Sequence, residues 1–528
     1  MSGMLSVMVD CSRNSVMKPS AVKRFADCLA KMGYNSLMLY TEDTFELDGE
    51  PLFGYMRGRY TKDELKDIDD YCNSIGIELI PCVQTLAHLN CIFKWSEYGS
   101  VRDCDDILLI DEPKTYELIE KIIKTCAECF RSRRIHIGMD EAHNVGFGKY
   151  ADIHGMPTDR FALMQSHLNK VCEIVKSYGF KPMMWSDMMI THAYGTKYNQ
   201  LEKIIGKTPN HTMNDEVELV YWDYYSADYD HYAGMIDAHK KLGAPTIFAG
   251  AAWSWRGIAP HNGLSTYFMT PALRACRDKG VDEIIVTMWG DDGGECSNFA
   301  LLPCLYNIAQ MYHGNNDETA IKEGFYKLFH VDYDQMSALD KPSAARNEHD
   351  CDPAIYLFYN DLLCGLNDFR CTAEDNEFYG SLRDEYNSVT ERGDFGYIFD
   401  AVAKLCDVLS VKCDMGVRIR NAYKSGDRET LETIINKDIP DLIERIEVFH
   451  DSYEKMWLTD NKPFGFDIQD IRVGGLIQRI KACKKRISEW LDGEIDIIDE
   501  LEVELVPAKT GYSWAKYTTA NVVTHELY

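Results

Sequence analysis

Short apolar runs alternate with amphipathic stretches through roughly the first three hundred residues, and this rhythm limits the fold more than any other feature of the chain. The runs Leu5–Val9, Ser36–Tyr40, Ile77–Val83, Arg134–Gly138, Lys181–Trp185, Glu218–Trp222, Thr246–Ala251 and Glu283–Met288 have the length and content of buried strands. Between them Pro19–Met32, Lys62–Ser74, Pro113–Phe130, Arg160–Tyr178, Asp230–Lys241, Pro271–Lys279 and Phe299–Tyr312 carry helical periodicity. Pro19 and Pro113 suit first turns, and Gly33 and Gly179 suit helix ends. The segment between the fifth and sixth runs is the least regular. Eight such alternations predict an α/β fold, a (β/α)8 TIM barrel, rather than an open doubly wound sheet. Neither G-x-G-x-x-G nor G-x-x-x-x-G-K-[ST] follows the first run, so the usual signature of a nucleotide-binding sheet is missing.

After about residue 315 the periodicity becomes helical throughout. Phe399, Val402, Cys406, Leu409 and Cys413 keep steps of three and four, as do Leu442, Ile446, Phe449, Tyr453 and Met456, and then Leu476, Ile480, Cys483 and Ile487. At 528 residues the chain exceeds what one core supports, so residues 1–314 are expected to form the barrel. Residues 315–528 are then a mostly α-helical domain with an extended polar tail from Lys509 to Tyr528. The apolar stripes either fill one another or build a homodimer.

A net charge of −28 argues against a nucleic acid or an anionic membrane surface, since both call for clustered Lys and Arg. No apolar run reaches transmembrane length, and the amino terminus shows neither a basic region nor a cleavage site, so a cytoplasmic location is expected. The 18 cysteines lie mostly inside apolar segments, as reduced buried thiols do. Cys126-Ala127-Glu128-Cys129 is a lone pair that reads as helix packing rather than zinc, and no cofactor or metal is called for.

The fourth run ends in Gly138-Met139-Asp140-Glu141, two carboxylates where a strand leaves the sheet. In a TIM barrel, chemistry gathers at that end of the strands. Five of the nine tryptophans, Trp185, Trp222, Trp253, Trp255 and Trp289, fall at the ends of the last four runs, with Asp187, Asp223, Asp291, Asp292 and Glu295 beside them. Rings next to carboxylates suit a sugar, whose C–H faces pack on aromatics while its hydroxyls need fixed acceptors. Two protein carboxylates straddle an anomeric carbon at about 5–5.5 Å in retaining glycosidases and about 6.5–9.5 Å in inverting ones. Sequence neighbours, with Cα atoms about 3.8 Å apart, cannot easily do so. They suit instead a general acid beside a carboxylate that attends a substrate group, such as the 2-acetamido carbonyl that serves as nucleophile in substrate-assisted hydrolysis.

Ile135-His136-Ile137-Gly138-Met139-Asp140-Glu141 resembles the His-x-Gly-Gly-Asp-Glu signature of glycoside hydrolase family 20, the exo-acting β-N-acetylhexosaminidases. Supporting matches are Val9-Asp10-Cys11-Ser12-Arg13-Asn14, Tyr40-Thr41-Glu42-Asp43-Thr44, Gln84-Thr85-Leu86-Ala87-His88 and Met184-Trp185-Ser186-Asp187. Tyr221-Trp222-Asp223-Tyr224-Tyr225 and Trp289-Gly290-Asp291-Asp292-Gly293 complete the series in order. The helical region, with Asn461-Lys462-Pro463-Phe464-Gly465, resembles the carboxyl-terminal domain of a bacterial subgroup of that family.

The resemblance implies Glu141 as acid and then base, and Asp140 as the acceptor of the acetamido N–H that stabilises an oxazolinium intermediate. It implies Trp185, Trp222 and Trp289 as pocket walls, and an N-acetylhexosaminide as the substrate. His88, with Asp43, resembles the family's His and Asp couple behind the acid, and His136 would either orient Asp140 or be a satisfied histidine within a buried strand. Glu295 and Trp253 join the substrate-binding candidates. Three departures stand out. Met139 replaces the second Gly of the signature. Leu5 and Ser6 stand where many members carry a sugar-binding Arg, for which Arg13 is either the substitute or part of a structural ion pair. Ala251-Ala252-Trp253 stands where the family places a Tyr on the seventh strand, which leaves Tyr224 or Tyr225 to hold the acetamido carbonyl. Two other readings of the same residues are a metal-dependent barrel hydrolase using His136, Asp140, Glu141 and His143, and a carbohydrate-binding homologue without activity.

Overall fold

The computed structural model describes residues 1, 3–198, 200–213, 215–291, 293–344 and 352–506. The expected tail and Asp292 lie outside them. Eight strands follow the predicted rhythm: β1 Leu5–Asp10, β2 Ser36–Tyr40, β3 Glu78–Cys82, β4 Arg134–His136, β5 Lys181–Trp185, β6 Glu218–Trp222, β7 Thr246–Ala251 and β8 Ile284–Met288. They pair in parallel in sequence order and close through β1 and β8, making the TIM barrel. Alternation along each strand divides two buried layers. Val7, Val9, Leu37 and Leu39 face the surrounding helices, whereas Met8, Met38, Ile80, Met183, Val220, Ile247 and Ile285 fill the interior.

Two elements differ from the sequence reading. β4 stops at His136, because Gly138 and Met139 both turn to a φ of +72° and leave strand conformation, although the Trp185 N–H still bonds the Gly138 carbonyl at 3.1 Å. The helix expected from Pro271 starts nine residues earlier, at Asn262, with Pro271 inside it. An interior proline costs about 3 kcal/mol. The buried face formed by Met269, Ala272, Leu273 and Cys276 outweighs it. Between β5 and β6, the irregular segment forms the helix Asp187–Tyr194, ended by Gly195 in the left-handed region, and the short helix Leu201–Ile204.

Beyond the barrel the described elements are helices, of which Gly396–Lys412 packs against Asp375–Ser388 and Ile439–Asp460. The three predicted stripes are buried within the chain and join the cluster that surrounds the barrel strands. Cys126 and Cys129 are free thiols buried under the helix Pro113–Cys129. No helix among the described residues is long and apolar enough to cross a membrane.

Candidate active site

Tyr40, Trp185, Trp222 and Trp289 cap the inward-facing layer of the barrel, so the strands' own phase brings them together at its carboxyl end. There a cavity of about 320 Å3 is lined by Asp140, Glu141, Trp185, Trp222, Trp289 and Tyr224, with Arg13, His88 and Asp291 also on its wall. This is at the small end of the roughly 300–1,000 Å3 range of ligand pockets and leaves room for a single sugar ring.

The two adjacent carboxyls are housed differently. Asp140 is buried, whereas the Glu141 side chain is 50% exposed to the cavity. Asp140 Oδ1 accepts the Gln84 Nε2–H at 2.7 Å, and Oδ2 lies 3.2 Å from His88 Nε2. Gln84 is itself held, because its amide also donates to the Tyr40 hydroxyl at 2.8 Å and its carbonyl accepts the Met139 N–H at 3.2 Å. Burial works against an ionised Asp140, yet the His88 charge and the Gln84 bond outweigh it and hold its pKa below the ordinary carboxylate value. Burial likewise opposes a charged His88, and Asp140 overcomes it and pushes the imidazole up to about 10. At neutral pH the two form an ion pair.

Glu141 is fixed through its backbone. It adopts a φ of +49°, and its N–H donates to Asp187 Oδ2 at 2.9 Å. Asp187 is pushed up to about 7, first by burial and then by the neighbouring Asp140 charge. Glu141 Oε2 lies 3.7 Å from His88 Nε2, so the imidazole touches both acids. Trp289 Nε1 donates to the Tyr224 hydroxyl at 3.1 Å, which leaves that hydroxyl a hydrogen to donate. Arg13 Nη1 lies 3.2 Å from Asp10 and 3.9 Å from Asp291, and its guanidinium sits 5.4 Å from the Trp289 ring.

Four sequence candidates stand elsewhere. Asp43 pairs with Arg57 at 2.9 Å, because the turn at Glu42, with a φ of +43°, presents Glu42 instead toward Arg13, at 3.7 Å. His136 is wholly buried beneath Trp185, and its Nδ1 accepts the Gly138 N–H at 3.1 Å. Burial holds its pKa down to about 3, so it steadies the strand exit as a neutral ring, while Gln84 and His88 take the oxygens of Asp140. Glu295 is carried off by the Gly293-Gly294 turn into a buried ion pair with Arg472 at 2.9 Å. Trp253 stacks between Trp255 at 4.6 Å and Phe268 at 5.5 Å, and Trp255 reaches the cavity wall in its place.

Gln84, Glu42, Asn90, Asp106, Asp187 and Trp255 join the site without having been singled out for it. Asp187 and Trp255 carried the signal of their place at strand ends, Glu42 and Gln84 stood inside motifs that support the family resemblance, and Asn90 and Asp106 carried none. Among the described residues no group of three His, Cys, Asp or Glu is placed to hold a metal ion.

Two family models match the chain: the glycosyl hydrolase family 20 catalytic domain over residues 6–231, and the Glycoside Hydrolase 20C C-terminal domain over residues 331–519. The chain belongs to glycoside hydrolase family 20. Within the family it is similar to Hexosaminidase D of Homo sapiens, 25% identical over 232 residues, which are 42% of this chain and 45% of that one. Hexosaminidase D of Bos taurus is 24% identical over 236 residues, 42% of this chain and 64% of the relative. The match thus spans less than two thirds of either relative's length. Among solved structures, the GH20 exo-β-N-acetylglucosaminidase from Vibrio harveyi is 15% identical with a TM-score of 0.48, covering 62% of this chain and 57% of that one. A mutant Streptomyces plicatus β-hexosaminidase in complex with its product GlcNAc is 19% identical with a TM-score of 0.43, covering 61% and 68%. The left-handed φ of Met139 accounts for the Gly at that point of the family signature. The Met side chain is buried in the layer outside the barrel, away from the cavity.

Proposed function

We propose that the chain is an exo-acting β-N-acetylhexosaminidase that releases terminal β-linked GlcNAc or GalNAc with retention, by substrate-assisted catalysis. Residues 1–314 carry the chemistry and residues 315–528 form its helical companion. The reading rests on the unequal housing of two adjacent carboxyls, one buried and charged, the other open to the cavity. Asp140 accepts the acetamido N–H, and the Tyr224 hydroxyl donates to the acetamido carbonyl, whose oxygen attacks the anomeric carbon. The glycosidic C–O bond breaks as the Glu141 proton passes to the leaving oxygen. A positive oxazolinium then lies against the negative Asp140, a charge that the enzyme holds ready before the reaction begins. Water adds to the anomeric carbon from the face the aglycone left, and the Glu141 carboxylate takes its proton. The cavity's size, closed by Trp185 and Trp289, favours a chain end over an internal unit.

Turnover of an aryl N-acetyl-β-glucosaminide tests the reading. Glu141→Gln should lower kcat/KM by about 10²–10⁴, the usual worth of a positioned acid–base group. Asp140→Ala should abolish turnover of the N-acetylated substrate, and a GlcNAc thiazoline should inhibit far more tightly than GlcNAc. Binding of the sugar without turnover by the parent chain would overturn the proposal in favour of a lectin-like protein.

A further inference from the structure

None of the chemistry proposed above touches the helical region, yet that region is wedged against the two barrel loops that carry the sugar-facing groups. The loop after β8 lies on the loop after β1: the Gly290 N–H donates to Asp10 Oδ2 at 3.0 Å, and a Cβ on Gly294 would overlap the Ser15 hydroxyl and come within 3.0 Å of the Arg13 carbonyl. The helix Phe466–Leu491 closes on this pair of loops. Gln469 Nε2 donates to the Gly293 carbonyl at 3.0 Å, and Arg472, wholly buried, pairs with Glu295 at 2.9 Å. A Cβ on Gly293 would meet the Arg472 guanidinium at 2.9 Å. The turn that precedes the helix holds the other loop. The Lys462 N–H bonds the Val16 carbonyl at 2.8 Å, and Gly465, with a φ of +89°, lies so close to the Asn14 carbonyl that a Cβ would overlap it.

A buried ion pair is a poor adhesive, since apolar residues of similar volume are often as stable or more so. What such a pair supplies is direction: Arg472 and Glu295 fit together in one geometry, a few residues along the chain from Trp289 and Asp291. We propose that Gln469, Arg472 and the turn 461–465 are positioning residues that hold the β1 and β8 loops together. Arg13, Trp289 and Asp291 then meet the ring hydroxyls as a preformed surface. The helical region sets how tightly the sugar is bound and leaves the chemistry at Glu141 alone. The identity of that sugar rests on the function proposed above.

The full chain carrying Gln469→Ala, and separately the pair Glu295→Leu with Arg472→Met, tests this against the parent. For each, kcat and KM on the aryl substrate are measured, together with thiazoline affinity by tryptophan fluorescence, the melting temperature, and hydrogen exchange of residues 10–15 and 289–294. The expected result is KM and the thiazoline Kd raised about 5–20-fold with kcat within about 2-fold of the parent, and faster exchange in both loops. Unchanged KM and exchange in variants that melt like the parent would reduce the contact to simple packing and overturn the proposal, as would a fall in kcat at constant KM. Gln469→Ala removes one hydrogen bond and keeps the test open if the double variant does not fold. A parent chain that neither turns over nor binds defeats the proposed function, while faster loop exchange in the variants still upholds the positioning.

Discussion

Asp140 and Glu141 are separated by one peptide bond and by most of a dielectric. Asp140 is charged inside protein because His88 is charged beside it, and each shift has the sign the other requires. With the native His88 value above its ordinary 6.5, the pair's stabilisation is complete below that pH and lost as the pH rises through about 10. With the native Asp140 value below its ordinary 3.8, the same stabilisation is lost as the pH falls through that lowered value. His88→Asn removes the cation and leaves a buried carboxylate held by hydrogen bonds from Gln84 and the backbone. The acid limb of the kcat/KM profile should then move up by about 1–3 pH units, the worth of an opposite charge at this range. An unmoved acid limb would show that His88 does not set the charge of Asp140.

At the level of the element, the exit of β4 does what a regular strand cannot. Residues 138, 139 and 141 all have positive φ, so the chain turns sharply enough to bury one acid and expose the next. Strain of this kind is worth of order 1–3 kcal/mol at a non-glycine residue, and Met139 and Glu141 both bear it. Gly138 has a second constraint, since a Cβ there would overlap the Gln84 amide and lie 2.9 Å from the Val83 carbonyl. Gly138→Ala should therefore cost about 1–3 kcal/mol in denaturant unfolding and lower kcat by displacing Gln84 from Asp140. A variant with parental kcat would separate the turn from the chemistry. Strand positions were legible because a period of two and β-rich composition are local properties, whereas the start of the helix Asn262–Lys279 was not. Pro271 is a strong local signal for a first turn, and only the packing of Met269 and Leu273 overrides it.

At the level of the whole molecule, the outer layer of the barrel strands and the helical region share one buried cluster, beside the separate cluster inside the barrel. Arg24 of the barrel reaches Asp460 of the helical region at 2.7 Å, and Phe299 packs on Phe395 with ring centres 6.1 Å apart. Residues 1–314 expressed alone should thus expose apolar surface and bind a hydrophobic dye or precipitate. A soluble fragment with a parental melting temperature would contradict this. By itself the sequence determined the eightfold barrel, the helical region and the acid pair at the fourth strand end. Strand ends, readable along the chain, also pointed to Trp185, Trp222, Trp289 and Asp291, whereas Tyr224, Arg13 and His88 were named through the family resemblance, and all seven line one cavity. Only the tertiary structure decided that Asp43 pairs with Arg57 rather than backing His88, that Trp255 rather than Trp253 lines the cavity, and that Glu295 answers Arg472. These choices turn on loop dihedrals and on partners up to 177 positions away, as Glu295 and Arg472 are, and no local pattern records either.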